Sequence, residues 1–216
     1  MAAGLGNTGG HGVIRLVVAL PAEARPLIRR FGLTRVEGGE FPVWRKEEIS
    51  LVVSGVGRSA AASATTYLAG AQRPAEAAWL NVGIGGHRCL ALGEAVLAHK
   101  VADGVGGRAW YPPLLFEPPC ATATVTTVDR PETGYPEETV YEMEAAGFCW
   151  AAARFASAEL IQVVKVISDN AAAPPDRLTA GRVEELIERR IEIIALIAER
   201  TATLARGPLP GGRHVV

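Results

Sequence analysis

The stretch VIRLVVALP, residues 13–21, joins a near-continuous apolar run to a proline. An apolar run rich in β-branched residues is typical of a strand that is buried on both faces of a parallel sheet. Proline is favourable in the first turn of a helix, because the N–H that it lacks would have no partner there. The stretch therefore predicts a strand over residues 13–20, followed by a helix from Pro21 to Phe31.

Strand and helix patterns alternate along the rest of the chain. Apolar runs predict six further strands, over residues 41–46, 50–54, 77–82, 93–102, 123–128 and 160–167. Helices are predicted over residues 58–70, 141–156 and 181–205, the last with an apolar face of Val183, Ile187, Ile191, Ile194, Ile197 and Thr201. Residues 104–121, rich in glycine and proline, are predicted as a loop. The alternation predicts an α/β fold with a largely parallel sheet covered by helices on both sides.

Composition excludes several classes of protein. The formal net charge of −1 argues against a nucleic-acid-binding surface. No run reaches the ~18 apolar residues of a membrane span, and Arg15 interrupts the apolar residues 13–24, so we expect no signal peptide. Three widely spaced cysteines, Cys89, Cys120 and Cys149, predict reduced side chains in a cytoplasmic protein. We expect neither a metal site nor a cofactor.

The 216 residues suit one α/β domain. We expect a flexible, glycine-rich leader over residues 1–12, a single domain over residues 13–206 and a flexible tail over residues 207–216. Ligands of such folds bind beyond the carboxyl ends of the strands. Polar residues that follow a predicted strand are therefore the candidates for a functional site.

Three predicted strands lead into such candidate segments. Glu23 lies in residues 19–24 (ALPAEA), where it could also be a carboxylate that only complements the helix dipole. Residues 54–59 (SGVGRS) and 81–87 (NVGIGGH) carry glycines that let a ligand approach the backbone. Free N–H groups at a helix start favour an anion or a hydroxyl. A purely structural tight turn explains the two glycine-rich segments equally well.

The fourth candidate combines residues 141–145 (YEMEA) with residues 165–170 (KVISDN). Two carboxylates beside an apolar helix face are costly unless they are paired or used. Asp169 closes a predicted buried strand, where it could serve a reaction or simply cap the next helix. Both elements lie where an α/β fold places its ligand.

These four segments, in this order, resemble the nucleoside phosphorylase/nucleosidase superfamily, especially its methylthioadenosine/S-adenosylhomocysteine nucleosidase and futalosine hydrolase branches. The resemblance spans residues 13–171. It implies a three-layer αβα sandwich with a central, mostly parallel mixed sheet, and cleavage of the N-glycosidic bond of a purine-type nucleoside.

The resemblance also implies roles for individual residues. Asp169 would be the general acid that protonates the departing base at N7, with Ser168 orienting it. Glu23 would activate the attacking water. Glu144 and Met143 would hold the ribose, with Glu144 accepting hydrogen bonds from its hydroxyls, and Glu142 would help to shape the same wall. The remaining substrate-binding residues would be Ser54, Gly55, Ile84, Gly85 and Lys165. Lys165 stands where relatives often carry arginine, which keeps the charge but not a bidentate contact.

The chain departs from the family in two loops. Residues 104–121 and 128–139 are shorter than in relatives, whose second loop contributes aromatic and backbone contacts to the base. Trp110, Tyr111 and Phe116 could replace those contacts or could be packing residues.

The nucleophile is predicted from a second departure. Relatives that use phosphate carry a Gly-Asp-x-x-Arg-type loop and a serine in the third segment, whereas this chain has PAEAR at residues 21–25 and Ile84. Water is therefore the preferred nucleophile, although Arg25 and Arg58 could bind phosphate if they are not surface side chains.

The leading hypothesis is a nucleosidase that acts on a small-molecule nucleoside. One alternative is a phosphate-dependent phosphorylase, including one that takes a bulky apolar nucleoside such as adenosylhopane. Another is a nucleoside-binding module without turnover. Hydrolytic relatives are usually dimers, so a homodimer is expected.

Overall fold

The computed structural model describes residues 12–71, 76–175 and 178–205. Residues 1–11 and 206–216, on which the predicted leader and tail fall, lie outside the described residues. Within the three described ranges, no helix combines the length and the apolar composition needed to cross a membrane.

The first half of the chain builds five strands and two helices. Their bounds are β1 (Ile14–Val18), α1 (Pro21–Phe31), β2 (Thr34–Val36), β3 (Val43–Lys46), β4 (Ile49–Val53), α2 (Arg58–Gly70) and β5 (Ala78–Gly86). The second half contains β6 (Ala95–Asp103), β7 (Ala109–Trp110), β8 (Ala121–Thr127), β9 (Val140–Glu142), α3 (Ala145–Ala152), β10 (Ile161–Asp169), α4 (Ala180–Glu188) and α5 (Ile191–Leu204). A 3₁₀ turn, Ala158–Leu160, precedes β10.

All of these strands belong to one mixed sheet. Strands β4, β1, β5 and β10 are parallel neighbours, so their carboxyl ends meet at one edge. Strand β6 is antiparallel to β10 and parallel to β8, which is in turn parallel to β9. Strand β9 returns to β5 through the pair Gly86 and Tyr141, which closes β5, β10, β6, β8 and β9 into a ring. The predicted mixed, centrally parallel sheet is confirmed.

Helices cover both faces of the sheet. On β1, Leu16 and Val18 face a core shared with α1, α4 and α5, while Val17 faces a second core shared with α2 and α3. This alternation follows from the two-residue period of a strand, and it explains why β1 is apolar throughout. The arrangement is a three-layer α/β fold.

Two predicted helices are corrected by the structure. Residues 141–144 are not helical, because Val140–Glu142 pairs with β8 and β5 and the helix begins at Ala145. The helix predicted over residues 181–205 is two helices, α4 and α5, separated at Arg189 and Arg190. Arg190 donates from Nε to the carbonyl of Gly93 at 2.5 Å, which ties the break to the sheet. The apolar face itself is correct, since all six of its residues are buried.

Smaller corrections concern single segments. Residues 104–121 contain β7, which pairs with the end of β6 in a short hairpin. Strand β2 was not predicted, because its three residues are exposed and lack an apolar pattern. The capping alternative for Asp169 is wrong: α4 begins at Ala180, and the hydroxyl of Thr179 caps it by accepting the Arg182 N–H.

Candidate active site

A cavity opens beyond the carboxyl ends of β1, β5, β9 and β10. Its lining contains eight of the residues predicted from the motifs: Glu23, Ile84, Gly85, Glu142, Met143, Glu144, Ser168 and Asp169. They come from four separate stretches of the chain. Strands β1, β5 and β10 are parallel, so three of these stretches lie at one edge of the sheet. Strand β9 brings the fourth stretch there by pairing with the end of β5.

Glu23 lies in the first turn of α1 with 2% of its surface exposed. Its Oε2 accepts the N–H groups of Ala19 and Leu20, both at 2.9 Å, and its Oε1 accepts the N–H of Ile84 at 3.0 Å. The carboxylate therefore caps the helix and also reaches across to β5. Burial raises its pKa above the ordinary value, although the charge of Lys165 and the three N–H groups oppose that shift.

Gly83 leaves the space that Glu23 occupies. A Cβ at this position would lie 2.8 Å from Glu23 Oε1 and 3.3 Å from Lys165 Nζ. The glycine in the third motif is therefore needed for close approach between β5 and these side chains.

Glu142 and Lys165 form a buried ion pair beneath the cavity. The ammonium lies 2.7 Å from Glu142 Oε2, and each side chain is 1% exposed. Glu142 also accepts the N–H groups of Glu144 and Ala145, and the Thr127 hydroxyl. Burial alone would raise the pKa of Glu142, but Lys165 and these donors lower it below the ordinary value. Burial alone would lower the pKa of Lys165, which its neighbouring carboxylates instead raise.

Glu144 reaches the start of α2. Its Oε1 accepts the N–H of Gly57 at 2.8 Å, so the carboxylate occupies the helix N-terminus that the sequence suggested for a ligand anion. Burial raises the pKa of Glu144 to about 7; the charge of Lys165 opposes the rise and that of Glu142 adds to it. The group therefore changes charge near neutral pH.

Asp169 ends β10 with 7% of its surface exposed. The Ser168 hydroxyl donates to Oδ1 and the Tyr135 hydroxyl donates to Oδ2, each at 2.5 Å. The Asp169 carbonyl accepts the His87 N–H at 3.1 Å, which fixes the backbone. The carboxyl is therefore held from two sides while it faces the cavity.

Other residues considered in the sequence lie outside the lining. Ser54 donates its hydroxyl to backbone carbonyls, and neither it nor Gly55 lines the cavity. Trp110 and Phe116 pack against the two cores, and Tyr111 is 66% exposed. None of these three aromatic residues lines the cavity.

Both arginines proposed for phosphate are paired elsewhere. Arg25 contacts Glu184 on the outer surface at 3.0 Å, and Arg58 contacts Asp103 at 2.5 Å and Asp129 at 2.7 Å. The described cavity lining carries five carboxylates (Glu23, Glu132, Glu142, Glu144 and Asp169) and neither arginine nor lysine. Lys165, underneath, is the nearby cation that balances part of this charge.

Tyr135 and Glu132 were missed by the motif analysis. They lie in residues 128–139, outside the four motifs. The sequence GYP at residues 134–136 predicts a turn, but it carries no signal for the hydrogen bond between Tyr135 and Asp169. In the described part of the chain, no group of three or more His, Cys, Asp or Glu residues is arranged to hold a metal ion.

Comparison with known proteins finds this fold in solved structures. No protein-family model matches the chain, and no curated protein matches its sequence. The 5′-methylthioadenosine/S-adenosylhomocysteine nucleosidase of Helicobacter pylori, solved with butyl-thio-DADMe-Immucillin-A, is similar at 16% identity and a TM-score of 0.66; the match covers 87% of this chain and 97% of that one.

Two further structures are similar over comparable lengths. Futalosine hydrolase of Helicobacter pylori matches at 14% identity and a TM-score of 0.69, over 87% of this chain and 97% of that one. The Streptococcus pneumoniae nucleosidase, solved with 8-aminoadenine, matches at 22% identity and a TM-score of 0.67, and the match covers 88% of this chain and 99% of that one. The chain therefore has the fold of these two nucleosidases and of this futalosine hydrolase.

Proposed function

We propose that the protein hydrolyses the N-glycosidic bond of a purine-type nucleoside, with Asp169 as general acid and Glu23 as general base. One observation carries the proposal: Glu23, Glu144 and Asp169 line a single cavity that contains five carboxylates and no cationic side chain among its described residues. The fold neighbours named above are nucleosidases and a futalosine hydrolase, which supports the same reaction class.

Asp169 acts on the leaving group. Its carboxyl donates a proton to N7 of the base while the bond between C1′ and N9 breaks, and the electron pair of that bond passes to the base. Protonation by a positioned side chain contributes about 10²- to 10⁴-fold to the rate. Hydrogen bonds from Ser168 and Tyr135 stabilise the carboxylate that remains.

Glu23 acts on water. The water oxygen bonds to C1′ and the Glu23 carboxylate accepts the proton, so the sugar gains OH and the base gains H. A carboxylate whose pKa is raised by burial is a stronger base than an exposed one. The N–H groups of Ala19, Leu20 and Ile84 hold it in place for this step.

The charge of the site suits the transition state. Cleavage of a glycosidic bond develops positive charge on the sugar ring. Glu144 and Met143 line the cavity beside Glu23 and would contact the ribose, with Glu144 accepting hydrogen bonds from its hydroxyls. An excess of carboxylates over cations favours the cationic sugar over the neutral substrate.

Water is the preferred nucleophile for the same reason. A phosphate dianion would enter a cavity whose lining is acidic, and its counterions would have to come from Arg25 or Arg58, which pair with carboxylates outside it. The start of α2, which could bind an anion, is occupied by Glu144. No observation favours the phosphorylase alternative or a substrate as bulky as adenosylhopane. A homodimer and a cytoplasmic location stay predictions.

The test is release of free base from a panel of nucleosides: methylthioadenosine, adenosylhomocysteine, adenosine, inosine and futalosine. Each is incubated with and without inorganic phosphate, and the base is quantified by chromatography. We expect release without phosphate. Release that requires phosphate would identify a phosphorylase, and binding of these nucleosides without release would identify a binding module.

A further inference from the structure

We propose that Tyr135 is a positioning residue for the general acid, and that its hydroxyl stabilises the Asp169 carboxylate formed when the base takes the proton. The inference rests on the proposed function of the cavity. Tyr135 Oη donates to Asp169 Oδ2 at 2.5 Å, across 34 residues of sequence. The tyrosine is 1% exposed and is absent from the cavity lining, so it lies behind the carboxyl rather than against the substrate.

The backbone of Tyr135 is held in an unusual conformation. Its φ of 43° is in the left-handed region, which a bulky residue rarely adopts. Arg88 donates from Nε to the Tyr135 carbonyl at 2.9 Å and from a terminal nitrogen to the Pro136 carbonyl. These bonds join the loop to the end of the third motif. The hydrogen bonds from Arg88, which lies outside the loop, therefore help to hold Tyr135 in this conformation.

Gly86 provides room for the contact between the two side chains. A Cβ at this position would lie 2.3 Å from Asp169 Oδ2 and 2.8 Å from Tyr135 Cε1. Tyr141, whose ring centroid is 6.3 Å from that of Tyr135, supports the ring from another side. The loop that carries Tyr135, the end of β5 at Gly86 and Tyr141 on β9 thus all position one hydrogen bond, from Tyr135 to the Asp169 carboxyl that faces the cavity.

The chemical effect depends on which protonation state of Asp169 the Tyr135 hydroxyl stabilises more strongly. A hydrogen bond to a carboxylate is about twice as strong as one to a neutral acid. The Tyr135 bond therefore strengthens as the proton moves from Asp169 to the base, and Tyr135 keeps its own proton throughout. An interaction that strengthens in the transition state raises kcat without tightening substrate binding.

The experiment compares Tyr135→Phe with the wild type on the best nucleoside of the panel, measuring kcat and KM. We expect kcat to fall about 10- to 100-fold, the loss of one hydrogen bond to a charged group, with KM within threefold. Tyr67→Phe is the matched control: its ring packs on Phe41, outside the cavity lining, and it should behave as wild type.

A second variant, Arg88→Gln, removes the brace without altering the ring, and a smaller fall in kcat of the same kind is expected from it. Circular dichroism checks that each variant is folded. An unchanged kcat in Tyr135→Phe would overturn the proposal, and so would a rise in KM as large as the fall in kcat, since that is a packing effect. If the wild type releases base normally, these failures concern Tyr135 alone; a wild type that cleaves no nucleoside overturns the proposed function and this inference together.

Discussion

The ammonium of Lys165 lies 2.7 Å from a carboxylate oxygen of Glu142, and each side chain is only 1% exposed. The pair joins β10, which carries Asp169, to the end of β9, which leads into Met143 and Glu144. The acid and the predicted ribose contacts are therefore linked through one charge pair. Lys165 acts through Glu142 and does not line the cavity.

Removing the cation should strongly destabilise the fold. Lys165→Met leaves Glu142 buried with no counterion, which costs about 3–5 kcal/mol in the free energy of unfolding. Urea denaturation measures this loss. The double variant with Glu142→Gln should recover much of it, because the charge of Glu142 is then no longer buried without its partner. A double variant as unstable as the single one would show that lost packing, not charge, dominates.

Asp169→Asn should abolish most turnover while preserving binding. The amide cannot donate an acidic proton to the base, so kcat should fall about 10²- to 10⁴-fold. Binding is measured by calorimetry with a C-nucleoside, whose carbon–carbon glycosidic bond resists hydrolysis. Asp103→Asn changes a carboxylate outside the cavity lining and serves as the control. Persistent turnover in Asp169→Asn would remove it from the mechanism.

Glu23→Gln should also lower kcat about 10²- to 10⁴-fold, because an amide accepts no proton from water. The amide nitrogen would meet one of the backbone N–H groups that the carboxylate accepts, so a lower Tm is expected as well. Glu184→Gln, on the outer face of α4, is the control for activity. A near-normal rate in folded Glu23→Gln would exclude it as the base.

Glu144 should make stability fall with rising pH. Its pKa is about 7 in the folded protein and about 4.3 in an unfolded chain. Between these values the folded state binds the extra proton, so the free energy of unfolding decreases as pH rises through this window. Glu144→Gln removes that contribution. Urea denaturation at pH 4.5 to 8 should give the variant a shallower decline, and parallel curves would contradict the raised pKa.

Two glycine-to-alanine variants distinguish the effect of close packing on stability from the effect of helix propensity. In Gly86→Ala the new methyl meets Asp169 and Tyr135, so we expect a loss of about 1–3 kcal/mol in stability and a lower kcat. In Gly70→Ala, at the end of α2, a Cβ meets nothing within 4 Å. That change should be neutral or stabilising by about 0.4–1 kcal/mol. Thermal unfolding measures both; equal effects would contradict the predicted crowding at Gly86.

The sequence by itself determined the elements whose signals are local. The bounds of α1 were predicted as Pro21–Phe31 because a proline opens that helix and its apolar spacing continues to Phe31. Strand β1 and helix α2 were also predicted from local signals, which are an apolar run and an alanine-rich segment. The four motifs also identified the cavity, since residues that follow parallel strands share one edge of the sheet whatever the loops do.

Only the tertiary structure decided the features that depend on distant partners. Residues 141–144 have a helical pattern, yet Tyr141 pairs with Gly86 and the helix starts later. Lys165 could not be recognised as the partner of Glu142 rather than of a ligand. Tyr135 became part of the site through a hydrogen bond to Asp169. Each of these contacts joins residues 23 to 55 positions apart, where periodicity carries no information and packing selects the partner.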